Sequence, residues 1–313
     1  MITKEIAYKK AFENQKARLK KKEFEYDSLL KSAYMSNTRL KEIDTEMSAI
    51  GAEITYTALK GDTKKLSELK KKSEALTAEK DEILKKSQVK EIKFECDICK
   101  DTGYVSGKIC ECIKREAAQI MADELSKQMP LDESRFEDFD LNYYKDDAKR
   151  RMTAILKLCR EYVINFSPNK SDNLLFIGKT GLGKTHLSLA VVSGVIEKGY
   201  LPIYGSAENL FSSIENEKFS GEGKGTYDSI LNCDLLVIDD LGTEMVTAFT
   251  KSALYNIVNT RLLSRKPTVI NTNLSMREIQ NLYGERIASR FMGNYVAREF
   301  LGNDIRQQKL LNK

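Results

Sequence analysis

Eight consecutive residues carry the clearest chemical signal in the chain. Gly178-Lys179-Thr180-Gly181-Leu182-Gly183-Lys184-Thr185 fits G-x-x-x-x-G-K-[ST] in full. An apolar run, Leu174 to Ile177, precedes it, and a helical stretch from His186 to Lys198 follows and stops at Gly199. In that setting the glycines let successive backbone N–H groups wrap phosphates at a helix N-terminus. Lys184 is spaced to reach the β- and γ-phosphates, and the Thr185 hydroxyl to ligate Mg²⁺. His186, the only histidine, closes this nucleotide-binding run and reads as a structural helix residue rather than a catalytic base.

Polar residues at the ends of two later apolar runs supply the partners such a loop needs. Leu235 to Ile238 reads as a buried strand ending in Asp239-Asp240. A carboxylate at that edge can hold Mg²⁺, so Asp239 takes the metal role. Asp240 either orients or deprotonates the attacking water or caps the turn before Leu241-Gly242; Glu244 is a weaker candidate for the same work. Thr268 to Asn271 is followed by Thr272-Asn273. An amide there can sit between the γ-phosphate and water, with Asn273 the first choice and Asn271 the reserve. Arg286 and Arg290 lie four apart on one helix face. They are either solvated partners of Glu285 and Glu299 or an arginine finger for a neighbouring subunit's γ-phosphate. Arg306, after Gly302-Asn303-Asp304, is placed to touch nucleotide within its own subunit.

A second chemistry is written in cysteines. Cys96 and Cys99 form a CxxC pair, and Cys110 and Cys112 follow after ten residues. Four thiolates satisfy a tetrahedral Zn²⁺ and leave no open position, so the site is structural. An iron–sulfur cluster is the minor alternative. Lys93, Lys100, Lys108 and Lys114 stand near enough to offset the centre's charge. Cys159 and Cys233 lie among apolar residues and read as core.

The elements that must position these groups follow from patterning. The 313 residues are 41% hydrophobic and 31% charged, which admits a sizeable core and excludes disorder along the whole chain. No run approaches the roughly 18 apolar residues of a membrane span. The N-terminus has no apolar stretch and reads as no signal peptide, and six cysteines without an export signal point to a reducing, cytoplasmic setting. Net charge is +5, and residues 1–92 carry all of it, with 21 Lys+Arg against 16 Asp+Glu. The neutral remainder is therefore not a generally basic nucleic-acid binder.

Residues 1–92 show a seam at steps of three and four: Leu40, Ile43, Met47, Ile50 and Ile54, extended backwards through Ala33, Leu29, Tyr26 and Leu19. Leu66, Leu69, Leu76 and Ile83 form a second seam after Gly61. This predicts two long helices folded back at Gly61, a coiled-coil arm. Residues 93–134 read as the zinc module with a linker helix broken near Met129-Pro130, and 135–313 as an α/β domain. Strands are expected near Leu174–Ile177, Leu201–Tyr204, Leu235–Ile238, Thr268–Asn271 and Arg298–Leu301.

With these residues assembled, the chain resembles the DnaC/DnaI group of bacterial replicative-helicase loaders within the AAA+ ATPases. Its C-terminal half is also similar to the IstB transposition helpers. The resemblance covers about residues 93–313 and rests on GKTGLGKTH, LLVIDDLG, INTNLS and GERIASRF. It implies a P-loop NTPase with an AAA+ core, a parallel sheet and a short or absent lid, since only eleven residues follow Gly302. It implies Walker A at 178–185 and Walker B at Asp239-Asp240. Asn273 would be sensor 1, Arg290 the arginine finger with Arg286 beside it, and Arg306 sensor 2. The segment Arg135 to Phe139 resembles the entry to the ATPase domain near adenine.

The zinc knuckle favours loader over IstB, although four cysteines depart from a pattern in which histidine contributes. The resemblance further implies ATP and Mg²⁺ as cofactors and ATP hydrolysis as the activity. Its partners would be a hexameric replicative helicase gripped by the arm and zinc module, and single-stranded DNA bound weakly, ATP-dependently and salt-sensitively. ATP-bound subunits would form an open ring or spiral. By analogy, Ala207 to Lys224 would face the DNA, with Phe211, Lys218, Phe219 and Lys224 as contacts; Phe211 as core and Lys218 as merely solvated is the competing reading. Two other functions compete: an IstB-like helper acting with a transposase on duplex DNA, and a monomeric P-loop phosphotransferase with a scaffold arm, which leaves Arg290 without a role.

Overall fold

The computed structural model describes residues 3–89, 91–127, 129, 131, 133–220 and 225–311. By its internal contacts the chain divides into two units, Met1–Phe12 with Ile109–Lys313, and Glu13–Lys108.

The helical arm, which from Glu13 onward belongs to the second unit, departs from the expected pair of helices. Helix α1 (Lys4–Ser36) ends, and α2 (Thr38–Lys60) begins, at Asn37. Asn37 is extended, and its side chain accepts the Arg39 N–H at 3.0 Å, so it caps α2 anew. The heptad spacing runs straight across this break, which is why periodicity alone reads one helix. The seam shifts as a result: Leu29 is exposed, while Tyr26, Leu30 and Tyr34 pack around Ala33, Leu40 and Val89. The turn at Gly61, at φ +73°, leads into α3 (Thr63–Lys86). Ile43 and Ile50 of α2 then pack on Leu69 and Leu76 of α3, as the two seams predict.

The first unit is built on a five-stranded parallel sheet with helices on both faces. A short hairpin, β1 (Tyr104–Val105) and β2 (Lys108–Ile109), falls at the end of the second unit's residues, and the first unit resumes with α4 (Glu111–Ser126) and α5 (Asp146–Ile164). Then follow β3 (Asn173–Ile177), α6 (Lys184–Glu197), β4 (Ile203–Ser206), α7 (Ala207–Ser220), α8 (Thr226–Asn232), β5 (Leu236–Leu241), α9 (Ala248–Leu263) and β6 (Thr268–Thr272). The chain closes with α10 (Met276–Tyr283), α11 (Glu285–Asn294), β7 (Tyr295–Glu299) and α12 (Ile305–Leu311). The sheet order is β4-β5-β6-β3-β7, with every pairing parallel.

Alternate residues of each strand face opposite layers. Leu174, Phe176, Val237 and Val269 pack in the core with residues of α4, α5 and α6, whereas Leu175, Leu236, Ile238 and Ile270 pack with those of α7, α9, α10 and α11. Burial on both faces explains why these strands read as unbroken apolar runs. The last strand was expected at 298–301 but spans 295–299, directly after α11. Its residues alternate between buried or half-buried and exposed, as an edge strand's do, so no apolar run marks it. Helix α6 is buried nearly all round, which matches a helix at the centre of a layer. Among the described residues no helix is long and apolar enough to cross a membrane.

Candidate nucleotide site and cysteine cluster

The phosphate loop lies where β3 hands over to α6, at the carboxyl end of the sheet, where ligands of open α/β sheets bind. Two glycines are required by their surroundings. Gly183 sits at φ +85°, and a Cβ there would meet the Phe139 ring at 2.7 Å. Gly181 sits at φ +79°, and a Cβ there would lie 2.1 Å from the Asp304 carboxylate. Tyr144 donates its hydroxyl to Leu182 O at 2.9 Å, and Ile305 N–H donates to Gly181 O at 3.0 Å, so the loop is braced from both sides.

Lys184 is buried, and its ammonium donates to Gly178 O (2.6 Å), Lys179 O (2.9 Å) and Asn273 Oδ1 (2.6 Å). Burial depresses its pKa, while the charges of Asp240 and Asp239 oppose the shift. Asn273 also donates to Thr180 Oγ at 3.2 Å, so the end of β6 is tied to the loop at two points. Thr185 Oγ donates to Asp239 Oδ1 at 3.3 Å. These two hard oxygens are a donor set suited to Mg²⁺; Thr185 lines the cleft, whereas Asp239, joined to it by that hydrogen bond, is buried rather than part of the lining. Asp240 lines the cleft at φ +52°. Burial first, then the neighbouring Asp239 charge, raises its carboxyl above the ordinary range, while Lys184 and Arg306 act against the shift.

The cleft encloses about 600 Å³, enough for a nucleotide-sized ligand. Thr180, Gly181, Leu182, Gly183, Lys184 and Thr185 all line it, as do His186, Asp240, Asn273 and Arg306. Phe139 and Tyr143 form an aromatic wall, with Phe139 stacked on Tyr144 at 5.7 Å and 5.5 Å from the His186 ring. His186 Nε2 lies 2.8 Å from Arg135 O, which can only accept, so the histidine ties the 135–139 segment to α6.

Other candidates are placed elsewhere. Asn271, the reserve, is fully buried and donates to Asp239 Oδ1 (2.6 Å) and Ser188 Oγ (2.8 Å). Glu244 is engaged by Gly242 N–H at 2.8 Å and by the Tyr283 hydroxyl, away from the cleft lining. Arg290 lies over the Tyr255 ring at 5.9 Å and does not line its own chain's cleft; Arg286 is exposed. Phe211 is core, so its expected stacking role is withdrawn: an apolar side chain on the inner face of α7 packs on the sheet. Phe219 is 76% exposed, and Lys218 lies over Phe249 at 5.3 Å. Lys224 and Pro130 fall outside the described residues.

Sequence reasoning missed Tyr204, Tyr144 and Asp304, which reach the site from strand β4 and from segments on either side of the motifs. A tyrosine inside an apolar run carries no distinguishing signal.

The thiols of Cys96, Cys99, Cys110 and Cys112 all lie within 4.8 Å of one another. Zinc–sulfur bonds of about 2.3 Å call for similar spacing, and the all-thiolate set fits Zn²⁺. Positive φ at Ser106 (49°) and Gly107 (76°) makes the tight turn between β1 and β2. The buried Asp101 carboxylate accepts N–H bonds from Glu95 (2.9 Å) and Cys96 (2.8 Å). Burial works to raise its pKa, but these bonds and Lys22 hold it below the usual range. Cys159 and Cys233 are buried, and burial pushes the Cys159 thiol up to about 12.

Comparison with known proteins agrees with this geometry. The replicative helicase loader DnaC of Escherichia coli K12 is 31% identical over 155 residues, covering 48% of this chain and 62% of that protein. DnaC of Buchnera aphidicola subsp. Schizaphis graminum is 29% identical over 177 residues, covering 55% and 69%. The chain thus spans less than two thirds of the E. coli relative it matches. A crystal structure of the DnaC helicase loader superposes with a TM-score of 0.50 at 23% identity, covering 55% of this chain and 99% of that one, and supports the fold. A parallel P-loop NTPase sheet, a phosphate-loop cleft and similarity to DnaC-type loaders agree with one another. Residues 110–293 match the model of the IstB-like ATP binding proteins, and the chain belongs to that family.

Proposed function

We propose that this chain is an ATP-dependent loader that binds a replicative DNA helicase and delivers it to single-stranded DNA in the cytoplasm. The observation that supports the nucleotide-dependent part is the pairing of Lys184 with Asn273 and of Thr185 with Asp239 at the phosphate loop; the loader part is supported by the similarity to DnaC. In this reading the loop N–H groups and Lys184 grip the β- and γ-phosphates. Thr185 and Asp239 would hold Mg²⁺, which would supply positive charge against that developing on the phosphates. Asp240 and Asn273 orient water, and Arg306 meets the nucleotide within the subunit. Arg290, displaced from its own cleft, completes the site of a neighbour in an open ring or spiral.

The domains proposed for this work are a helical arm (1–92), a zinc module with linker (93–134) and the ATPase domain (135–313). The arm and the zinc module grip the helicase; Lys218 and the exposed Phe219 meet DNA. Metal analysis of the purified chain should return one zinc. The decisive experiment is co-purification with the host's hexameric replicative helicase, with ATP and without nucleotide. ATP-dependent capture supports the loader. No capture, together with preference for duplex DNA and a transposase, supports an IstB-like helper instead.

A further inference from the structure

We propose that Tyr204 is a positioning residue for Asp239: its hydroxyl fixes which carboxylate oxygen faces Thr185, and thereby sets the protein's grip on the divalent cation that accompanies nucleotide. The proposal rests on the nucleotide-site reading above.

Asp239 is 5% exposed, and its two oxygens are held differently. Oδ1 accepts from Asn271 Nδ2 (2.6 Å), from Asp240 N–H (3.1 Å) and from Thr185 Oγ (3.3 Å). Oδ2 accepts from the Tyr204 hydroxyl. The two donors Asn271 and Tyr204 come from strands on either side of β5, so the carboxylate is clamped across the sheet. Register explains the reach. Tyr204 pairs with Val237 and Ser206 with Asp239, which puts Tyr204 and Asp239 on one face, two residues out of step along adjacent strands. A serine at 204 would fall short of that diagonal; a phenol spans it.

Tyr204 also lines the cleft, so its hydroxyl joins the metal-side carboxylate to the wall of the nucleotide site. Without the hydroxyl, Oδ2 would be left buried without this donor, and the carboxylate would turn toward the bonds remaining on Oδ1. Packing of the ring would be unchanged in phenylalanine. The consequence falls mainly on the state in which a cation is bound, because the hydrogen bonds of the Lys184 ammonium go to Gly178 O, Lys179 O and Asn273 Oδ1 and not to Tyr204.

The test uses the full chain, Tyr204→Phe, and a fluorescent N-methylanthraniloyl ATP. Affinity is measured in EDTA and across a Mg²⁺ titration. The expected result is a Mg²⁺ requirement raised about tenfold, the usual consequence of losing a group that orients a metal ligand, with any loss of affinity in EDTA well below that. A wild-type Mg²⁺ titration in the variant overturns the proposal. Equal weakening in EDTA and in Mg²⁺ also overturns it, since it marks a purely structural tyrosine. Failure of the unaltered chain to bind the analogue in either buffer removes the nucleotide-site reading itself, and is seen before any variant is made. Should Tyr204→Phe not fold, replacement of the Tyr204 ring by its 3-fluoro analogue supplies a ¹⁹F signal in a folded chain. That signal must move when Mg²⁺ is added to the nucleotide complex, and a signal indifferent to Mg²⁺ overturns the proposal.

Discussion

Two arginines show how differently the ATPase unit and the helical arm are held. Arg261 is fully buried and donates to main-chain carbonyls: Ile230 (2.8 Å), Leu231 (3.2 Å) and Cys233 (3.3 Å) at the end of α8, and Pro267 (2.7 Å) before β6. Its Nε donates to Thr268 Oγ at 3.0 Å. A single planar fork thus closes one helix and ties it to a central strand. Arg39 in the arm is 36% exposed and surrounded by the carboxylates of Glu79, Glu46 and Glu42. The site demands strands held to fractions of an ångström, so the nucleotide-binding unit buries polar groups and satisfies them. The arm is held instead by a narrow Ile/Leu seam with water-screened charges around it.

Four substitutions would break or sharpen that contrast. Lys184→Ala should weaken ATP binding by about 4 kcal/mol or more, roughly a thousandfold, because it strands buried acceptors and removes the loop's buried cation; calorimetric titration measures it, and near-normal affinity would refute the phosphate-site assignment. Arg261→Met should cost about 3–4 kcal/mol in denaturant unfolding, since several buried carbonyls lose their donor at once. A loss under about 1 kcal/mol would mean that the fork is dispensable. Ile43→Ala should cost about 2–3 kcal/mol of arm stability by circular dichroism, with nucleotide affinity unchanged; an altered affinity would show that the arm and the site are energetically joined. Arg39→Ala should cost less than about 1 kcal/mol, and the little it costs should vanish in high salt. A larger, salt-insensitive loss would place Arg39 in the same class as Arg261.

The contrast also governs what could be read from sequence. Phosphate-loop chemistry is local: eight adjacent residues make the loop, so spacing alone reveals it. Strands β3, β5 and β6 are buried on both faces and appear as apolar runs. The edge strand β7 lacks such a run and was placed three residues late. In the arm, 3-and-4 spacing revealed the hairpin at Gly61 but passed over Asn37, because an N-cap changes direction without disturbing periodicity. Asn271 and Asn273 differ by two positions and share a residue type; only burial shows that one braces Asp239 while the other faces the cleft.

By itself, then, the order of residues determined the phosphate loop, its acidic partner at the end of β5, the four-thiol cluster and the helical hairpin, because each is specified by neighbours within a few residues or by a simple repeat. Tertiary structure alone decided that Tyr204 reaches Asp239, that Tyr144 braces Leu182, and that Arg290 stands away from its own cleft. Those relations join residues far apart in the chain, and their distances follow from how strands register and helices pack, which no local pattern encodes.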